Sequence, residues 1–367
     1  MTVAATPPHR RSIYYWKCDR PAAFHGTGDD AHNSALESQL REVLHERFPS
    51  QRLVLWPAGG QGNHVTYRAT LGDTECFVRL EDGPERDDYM EVEARVLADV
   101  RALGIAAPQV LAVDANRRRV PFAWQVLEFI DCPDLNQFYK QGTLDLAHAA
   151  REIGTTVARW QAVQPRGFGP FDAELLRLED RLEGYHSRYE DYFFLHLERH
   201  LHFLRDRDFL PGHEADEIAK EIERHRSLLA LPQGCLVHKD LALWNILGTA
   251  KQIAAFIDWD DSISGDPMDD LSLLGCFYDG PILADALAGY TTVRPLPDDH
   301  RRRFWLHLLR NMIVKAVIRV GAGYFDRTDR FFLIAASGTG ANLKAFTHAR
   351  LASSLRGLRE DQPIETL

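Results

Sequence analysis

A chain of 367 residues with 45% hydrophobic and 26% charged residues has the make-up of an ordinary globular protein, long enough for one large or two medium domains. Its net charge of −10 argues against a nucleic-acid binder, which carries a basic face. Cys18, Cys76, Cys132, Cys235 and Cys276 are scattered without a CxxC pair, which excludes a disulfide framework or zinc cage. No run approaches the roughly 20 apolar residues of a membrane span, and the N-terminus has no apolar signal core, so a reduced cytoplasmic protein without membrane or nucleic-acid partners is expected.

Residues 1–34 read as an irregular arm with Pro7, Pro8 and Pro21, in which Tyr14-Tyr15-Trp16 suggests packing on the body. ALESQLREVLHERF (35–48) sets Leu36, Leu40, Val43 and Leu44 on one helical face. LVLWPA (53–58), HVTYRAT (64–70) and TECFVRL (74–80) read as an antiparallel meander, joined by a glycine-rich turn and by Leu71-Gly72-Asp73. Tyr89, Val92, Val96, Val100 and Leu103 predict a helix over 87–103, and QVLAVDA and PFAWQVL add a fourth and fifth strand. Residues 35–131 therefore predict a small five-stranded antiparallel sheet with one inserted helix. After the polar link DCPDLNQF, residues 132–367 turn mainly helical: 146–163, a long stretch around 174–206, then 213–230, 268–290, 298–320 and 341–357. Only GCLVHKD and IAAFIDWDD look like strands there. Strands first and helices later describe an α+β protein in two lobes.

The chemistry concentrates in HKDLALWNIL (238–247). Asp240 is a carboxylate able to orient a hydroxyl and accept its proton. Asn245 offers a side-chain oxygen, a hard ligand suited to Mg²⁺, and His238 suits a loop-shaping role. Asp258, ending the run IAAFIDWDD, can hold a second metal position. Upstream, PAGGQGNH (57–64) carries Gly59, Gly60, Gly62 and Asn63 between two strands, where a backbone free of side chains can approach phosphates. Arg79 in FVRL pairs on paper with Glu93 of the next helix, a cation and acid that would fix the α- and β-phosphates. Singly, each has an ordinary reading: a surface loop, a tight turn, a surface ion pair worth little. Jointly they are the equipment of a nucleotide-dependent kinase.

The order of GGQGNHVTYRA, FVRL, EVEARVLADVRALGIAAPQVLAVD, VLEFIDCPDL, HKDLALWNIL and IDWDDSISGDPMDDL resembles the aminoglycoside phosphotransferase and choline kinase-like family over about residues 53–275. The last two motifs are the specific part. The resemblance implies a protein-kinase-like fold, with ATP or GTP as co-substrate and Mg²⁺ as cofactor. It makes Asp240 the catalytic base, Asn245 and Asp258 the metal ligands, and Arg79 with Glu93 the phosphate-binding pair. It gives nucleotide contacts to the loop of Gly60, Gly62 and Asn63, adenine contacts to the backbone of Glu128 and Ile130, and a bracing role to Asp270. The implied acceptor is a hydroxyl on an aminoglycoside-like antibiotic, an amino alcohol or a sugar, with antibiotic resistance as the matching role. Asp260, Asp261 and Asp266 would suit a cationic acceptor. The chain departs from the family at Arg79, where lysine is common, at Lys239, where glycine is frequent, and at Trp160-Gln161, which often reads Leu-His. A nucleotide-binding regulatory protein without turnover is the alternative.

Three other patterns compete. IDWDDS resembles the nucleophile strand of haloacid-dehalogenase-type phosphatases, but comes late and follows HxDxxxxN. HLERH sets His196 and His200 at metal-ligand spacing, although an exposed helix face explains it as well. SGTGAN (337–342) is glycine-rich without a strand-then-lysine context and reads as a helix-opening loop.

Overall fold

The computed structural model describes residues 9–20, 34–59, 64–83, 86, 88–328 and 338–367. The described part of the arm contributes a 3-10 turn (Arg10–Ser12) and the short helix α1 (Trp16–Asp19), and α2 (Ser34–Arg47) follows with Leu36, Leu40, Val43 and Leu44 buried as the periodicity requires. Strands β1 (Leu53–Ala58), β2 (Val65–Leu71) and β3 (Thr74–Glu81), helix α3 (Tyr89–Ala102), and strands β4 (Val110–Asp114) and β5 (Ala123–Glu128) complete the first lobe. Its sheet is antiparallel throughout in the order β1-β2-β3-β5-β4. Each element lies where the alternation or helical spacing places it.

The second lobe begins with α4 (Leu135–Lys140) and α5 (Leu146–Trp160). The stretch around 174–206, expected as one helical region, is instead broken into pieces. Strand β6 (Phe168–Phe171) precedes α6 (Ala173–Glu179), β7 (Gly184–His186), α7 (Tyr189–Phe193) and α8 (Leu197–Asp206). The breaks fall at Asp180 and His196, both with left-handed backbone, and at Gly184, whose added Cβ would meet Phe168 backbone at 2.5 Å. Next come α9 (Gly212–Arg224), β8 (Cys235–Val237), the hairpin β9 (Ile246–Gly248) and β10 (Ile253–Phe256), and β11 (Ile263–Gly265). Helices α10 (Asp269–Gly275), α11 (Gly280–Thr291), α12 (His300–Gly321) and α13 (Gly340–Glu360) close the lobe. The expected helix 268–290 is split between α10 and α11 at Gly280-Pro281, since proline favours a helix start. SGTGAN does open a helix: Thr339 caps α13 by a reciprocal capping box with Asn342.

The main core lies in the helical lobe and extends to α3, and a second cluster fills the space between α2 and the sheet. Helices α5 and α11 pack at backbone contact. A Cβ on Gly154 would lie 1.8 Å from the Ala286 carbonyl oxygen, and one on Gly289 would lie 1.9 Å from that of Arg151. The arm joins the main core through buried Tyr14 and Tyr15. Burial of such side chains stabilises by about 1.5–3 kcal/mol each, so the described part of the arm, residues 9–20, is an integral layer of the lobe. All five cysteines are free thiols. Among the described residues no helix is long and apolar enough to cross a membrane.

Candidate active site

Strand β8 delivers the chain into the loop 238–245, which α10 braces. The Asp270 carboxylate accepts the backbone N–H groups of His238 (2.9 Å) and Lys239 (3.1 Å) and the indole N–H of Trp160 (3.1 Å). Three donors favour the ionised form, while burial pushes its pKa up to about 7. Burial also pushes the His238 pKa down. Its Nε2 lies 2.9 Å from the Ile257 carbonyl and its Nδ1 accepts the Asp240 N–H at 3.3 Å, as a neutral, loop-shaping imidazole would. Trp160-Gln161 is thus part of the brace: Gln161 donates to the Pro267 carbonyl and accepts from the Tyr290 hydroxyl.

The β9–β10 hairpin explains the spacing of Asn245 and Asp258. Asn245 stands just before β9 and Asp258 just after β10, Ile246 pairs with Phe256, and the Ile257 N–H donates to the Asn245 carbonyl at 3.0 Å. The Asn245 side-chain nitrogen donates to the Asp240 backbone oxygen (2.8 Å) and carboxylate (3.2 Å), which leaves its Oδ1 for another partner. Asp258 has φ 65°, a conformation costly for a non-glycine residue, and its side chain is 43% exposed. Partial burial and the neighbouring Asp260 push its carboxyl up. Two hard oxygens, one on a carboxylate crowded by like charge, are a fitting donor set for magnesium, because a cation relieves the repulsion.

Arg79, on β3, donates to both Glu93 carboxylate oxygens at 2.8 and 3.0 Å. Glu93 also accepts the Trp259 N–H at 3.0 Å, so the pair fastens α3 to the Asp258 segment. The second guanidinium nitrogen of Arg79 lies 3.4 Å from both Asp258 and Asp260 and 2.9 Å from His64. Burial opposes the Arg79 charge, but Glu93, Asp258 and Asp260 outweigh it and hold the group protonated. Asn245 is thus bonded to Asp240, Arg79 to Glu93 with Asp258 beside its guanidinium, and the β9–β10 hairpin holds the two groups side by side. Glu128 and Ile130 lie at the end of β5 without a bond to either. The Glu128 side chain turns to Arg101 (3.5 Å), its N–H donates to Gln109, and the Ile130 carbonyl accepts from Cys132. Gly60, Gly62 and Asn63 lie outside the described residues.

Several groups at the site carry no local sequence signal. Lys315, on α12, places its ammonium 3.3 Å from the Asp240 carboxylate. The arm lies across the same region: Arg10 donates to the Asp260 carbonyl (2.8 Å) and Trp16 to the Asp261 carboxylate (3.1 Å). Of the acids expected to attract a cationic acceptor, Asp261 is bonded by the Trp16 indole, the Asp260 carboxylate lies 3.4 Å from Arg79, and Asp266 pairs with Arg303 at 2.7 Å. Lys239 explains its own departure from glycine. It holds φ 69°, and its ammonium binds Asp269 (2.7 Å), the Asn311 side-chain oxygen (3.2 Å) and the hydroxyl of Tyr14 in the arm (3.1 Å). HLERH is likewise an arm anchor: His196 bonds the Ser12 carbonyl and His200 the Asp19 carboxylate. Cys18, Asp19 and His200 do converge, yet Asp19 is already satisfied by Arg199, His200 and two backbone N–H groups.

Comparison with known proteins agrees with this geometry. The model of the phosphotransferase enzyme family matches residues 57–305. No curated protein is a significant sequence match. Among solved structures, aminoglycoside phosphotransferase APH(4)-Ia superposes with TM-score 0.60 at 16% identity, covering 87% of this chain and 98% of its own. A candidate fructosamine-3-kinase from Thermobifida fusca YX-ER1 gives 0.58 at 20% identity, covering 86% and 98%. A variant of APH(4)-Ia was crystallised as a ternary complex with ADP and hygromycin B, with TM-score 0.58, 16% identity and coverage of 87% and 98%. With more than half of its length matched, and with a two-lobed kinase-like fold, this chain belongs to the phosphotransferase enzyme family.

Proposed function

We propose that this protein is a small-molecule kinase that transfers the γ-phosphoryl group of ATP or GTP to a hydroxyl of an antibiotic, amino alcohol or sugar. The observation that carries the reading is the pair of bonded groups in one region, Asn245 on Asp240 and Arg79 on Glu93, with Asp258 3.4 Å from the Arg79 guanidinium and two residues beyond the hairpin that follows Asn245. Glycine-loop N–H groups, including those of Gly60, Gly62 and Asn63, would cover the phosphates, with Arg79 neutralising them and Glu93 fixing its fork. Since the Glu128 N–H and the Ile130 carbonyl are engaged, adenine contacts would fall to the Glu128 carbonyl and the Ile130 N–H. Asn245 and Asp258 would hold magnesium, which when bound supplies charge neutralisation to the phosphate oxygens.

Asp240 orients the acceptor hydroxyl in line with the γ-phosphorus. A bond forms from the acceptor oxygen to phosphorus, the bond to the β–γ bridging oxygen breaks, and its electron pair leaves on ADP. The hydroxyl proton passes to Asp240. Burial would push this carboxyl up, but Lys315 and Lys17 outweigh it and hold its pKa well below the usual range. The base therefore stays ionised and serves mainly in positioning, as a loose phosphoryl-transfer transition state requires.

The test is Asp240→Asn. Turnover should fall by a factor of about 10² to 10⁴, while the affinity for Mg·ADP, read by calorimetry, stays within a few-fold of the native protein. Native turnover in the variant would remove Asp240 from the reaction.

A further inference from the structure

The two oxygens of the Asp240 carboxylate have different neighbours. Oδ2 accepts from the Asn245 amide at 3.2 Å, on the side of the group proposed to hold magnesium. Oδ1 lies 3.3 Å from the ammonium of Lys315, on α12. An ammonium carries three N–H donors. Among the described residues, Asp240 is the only hydrogen-bond acceptor of Lys315, so two donors beside the base are unused. The other neighbours are aromatic. The Tyr15 ring of the arm is centred 5.6 Å from the ammonium and the Phe277 ring 5.4 Å, and Trp244 meets Phe277 edge-on at 4.8 Å. The Lys315 side chain is 13% exposed and that of Asp240 6%, so the pair is reached from solvent without being bathed in it. A largely buried cation with unused donors is a group that an incoming oxygen satisfies.

Resting on the kinase reading above, we propose that Lys315 selects the acceptor: the hydroxyl to be phosphorylated has a second oxygen on the neighbouring carbon, as in a sugar or another vicinal diol. The first hydroxyl donates to Asp240 Oδ1 and is the one that gives up its proton. The neighbouring oxygen accepts an N–H of Lys315 and takes no part in bond making or breaking. Oxygens on adjacent carbons stand about one hydrogen-bond length apart, as Oδ1 and the Lys315 nitrogen do, so both bonds form together. An ammonium in place of the second oxygen has no lone pair for Lys315 and sets two like charges side by side. The rings of Tyr15, Phe277 and Trp244 offer apolar faces to the C–H side of such an acceptor, as in pockets where a few polar groups set orientation.

The test incubates the full chain with Mg²⁺ and ATP or GTP and a panel of glucose, ribose, inositol, glycerol, serinol, choline and kanamycin. Fragmentation mass spectrometry locates the phosphoryl group on the product. The phosphorylated hydroxyl should have an oxygen on a neighbouring carbon. That compound is then compared with two analogues, in which the neighbouring oxygen is replaced by hydrogen or by an amine. The native protein should prefer the diol to each by a factor of about 10 or more in kcat/KM. Lys315→Met should lose most of both preferences. Lys315→Gln, which keeps N–H donors without the charge, should retain the preference over the deoxy analogue and lose that over the amine. These ratios do not respond to the strength of the base, because all three compounds present the same hydroxyl to Asp240. A product with no oxygen on either neighbouring carbon, or preferences unchanged in both variants, would overturn the proposal and leave the kinase reading standing. Nucleotide binding with no product from any compound would sink that reading and the proposal with it.

Discussion

At the scale of the residue, the Asp240 carboxylate is under two opposing influences. Burial favours its neutral form, and the ammonium groups of Lys315 and Lys17 favour the charged one and prevail. Replacing Lys315 by methionine should let burial gain, so that the Asp240 pKa rises and the acidic limb of a kcat–pH profile moves to higher pH. A limb that stays in place in this variant would show that Lys315 does not tune the base. The sequence made part of this site readable and hid the rest, for a physical reason. Asp240, Asn245 and Asp258 sit in short motifs whose spacing is set by one loop and one hairpin, and Arg79 and Glu93 lie on consecutive elements. Lys315 reaches Asp240 only through packing of α12, and the charge of Lys17 acts on it only because the arm packs nearby, across separations no local pattern marks. The internal partners of Asp260, Asp261 and Asp266 were hidden in the same way: Arg79, Arg10, Trp16 and Arg303 come from distant segments.

At the scale of the element, local periodicity was enough for the first lobe, where each strand and helix has its own apolar face. It failed over 174–206, where short helices and a strand alternate around tight approaches such as Gly184 on Phe168. The pairing of α5 with α11 was equally invisible, since glycines inside helices announce no partner. Their close approach makes a prediction. Gly154→Ala sets a methyl group against the Ala286 carbonyl and should cost about 1–3 kcal/mol, measured by denaturant unfolding. A variant as stable as the native protein would mean that α11 can move away freely. The arm shows how a departure from the family acquires sense. Lys239 accepts a left-handed backbone where glycine is frequent, and its ammonium then ties the catalytic loop to Tyr14.

At the scale of the whole molecule, the two-lobed α+β fold followed from the order of strands and helices, and the family followed from the motifs carried on that fold. The Arg79–Glu93 pair and the Trp259 N–H join the lobes across the cleft. The arm adds a second bridge, with Arg10 stacked 3.7 Å over Tyr89 of α3 and bonded to Asp260. In the proposed reaction, such an assembly would position acids, amide and cations around one path for a phosphoryl group. The central claim is met most directly by mass spectrometry. The native protein, with Mg²⁺ and ATP or GTP, is incubated with pooled aminoglycosides, macrolides, amino alcohols and sugars. The account predicts a mass gain of one phosphoryl group on a hydroxylated compound, dependent on nucleotide and lost in Asp240→Asn. Product formed equally well by Asp240→Asn, or native protein that binds no nucleotide under the same conditions, would contradict it.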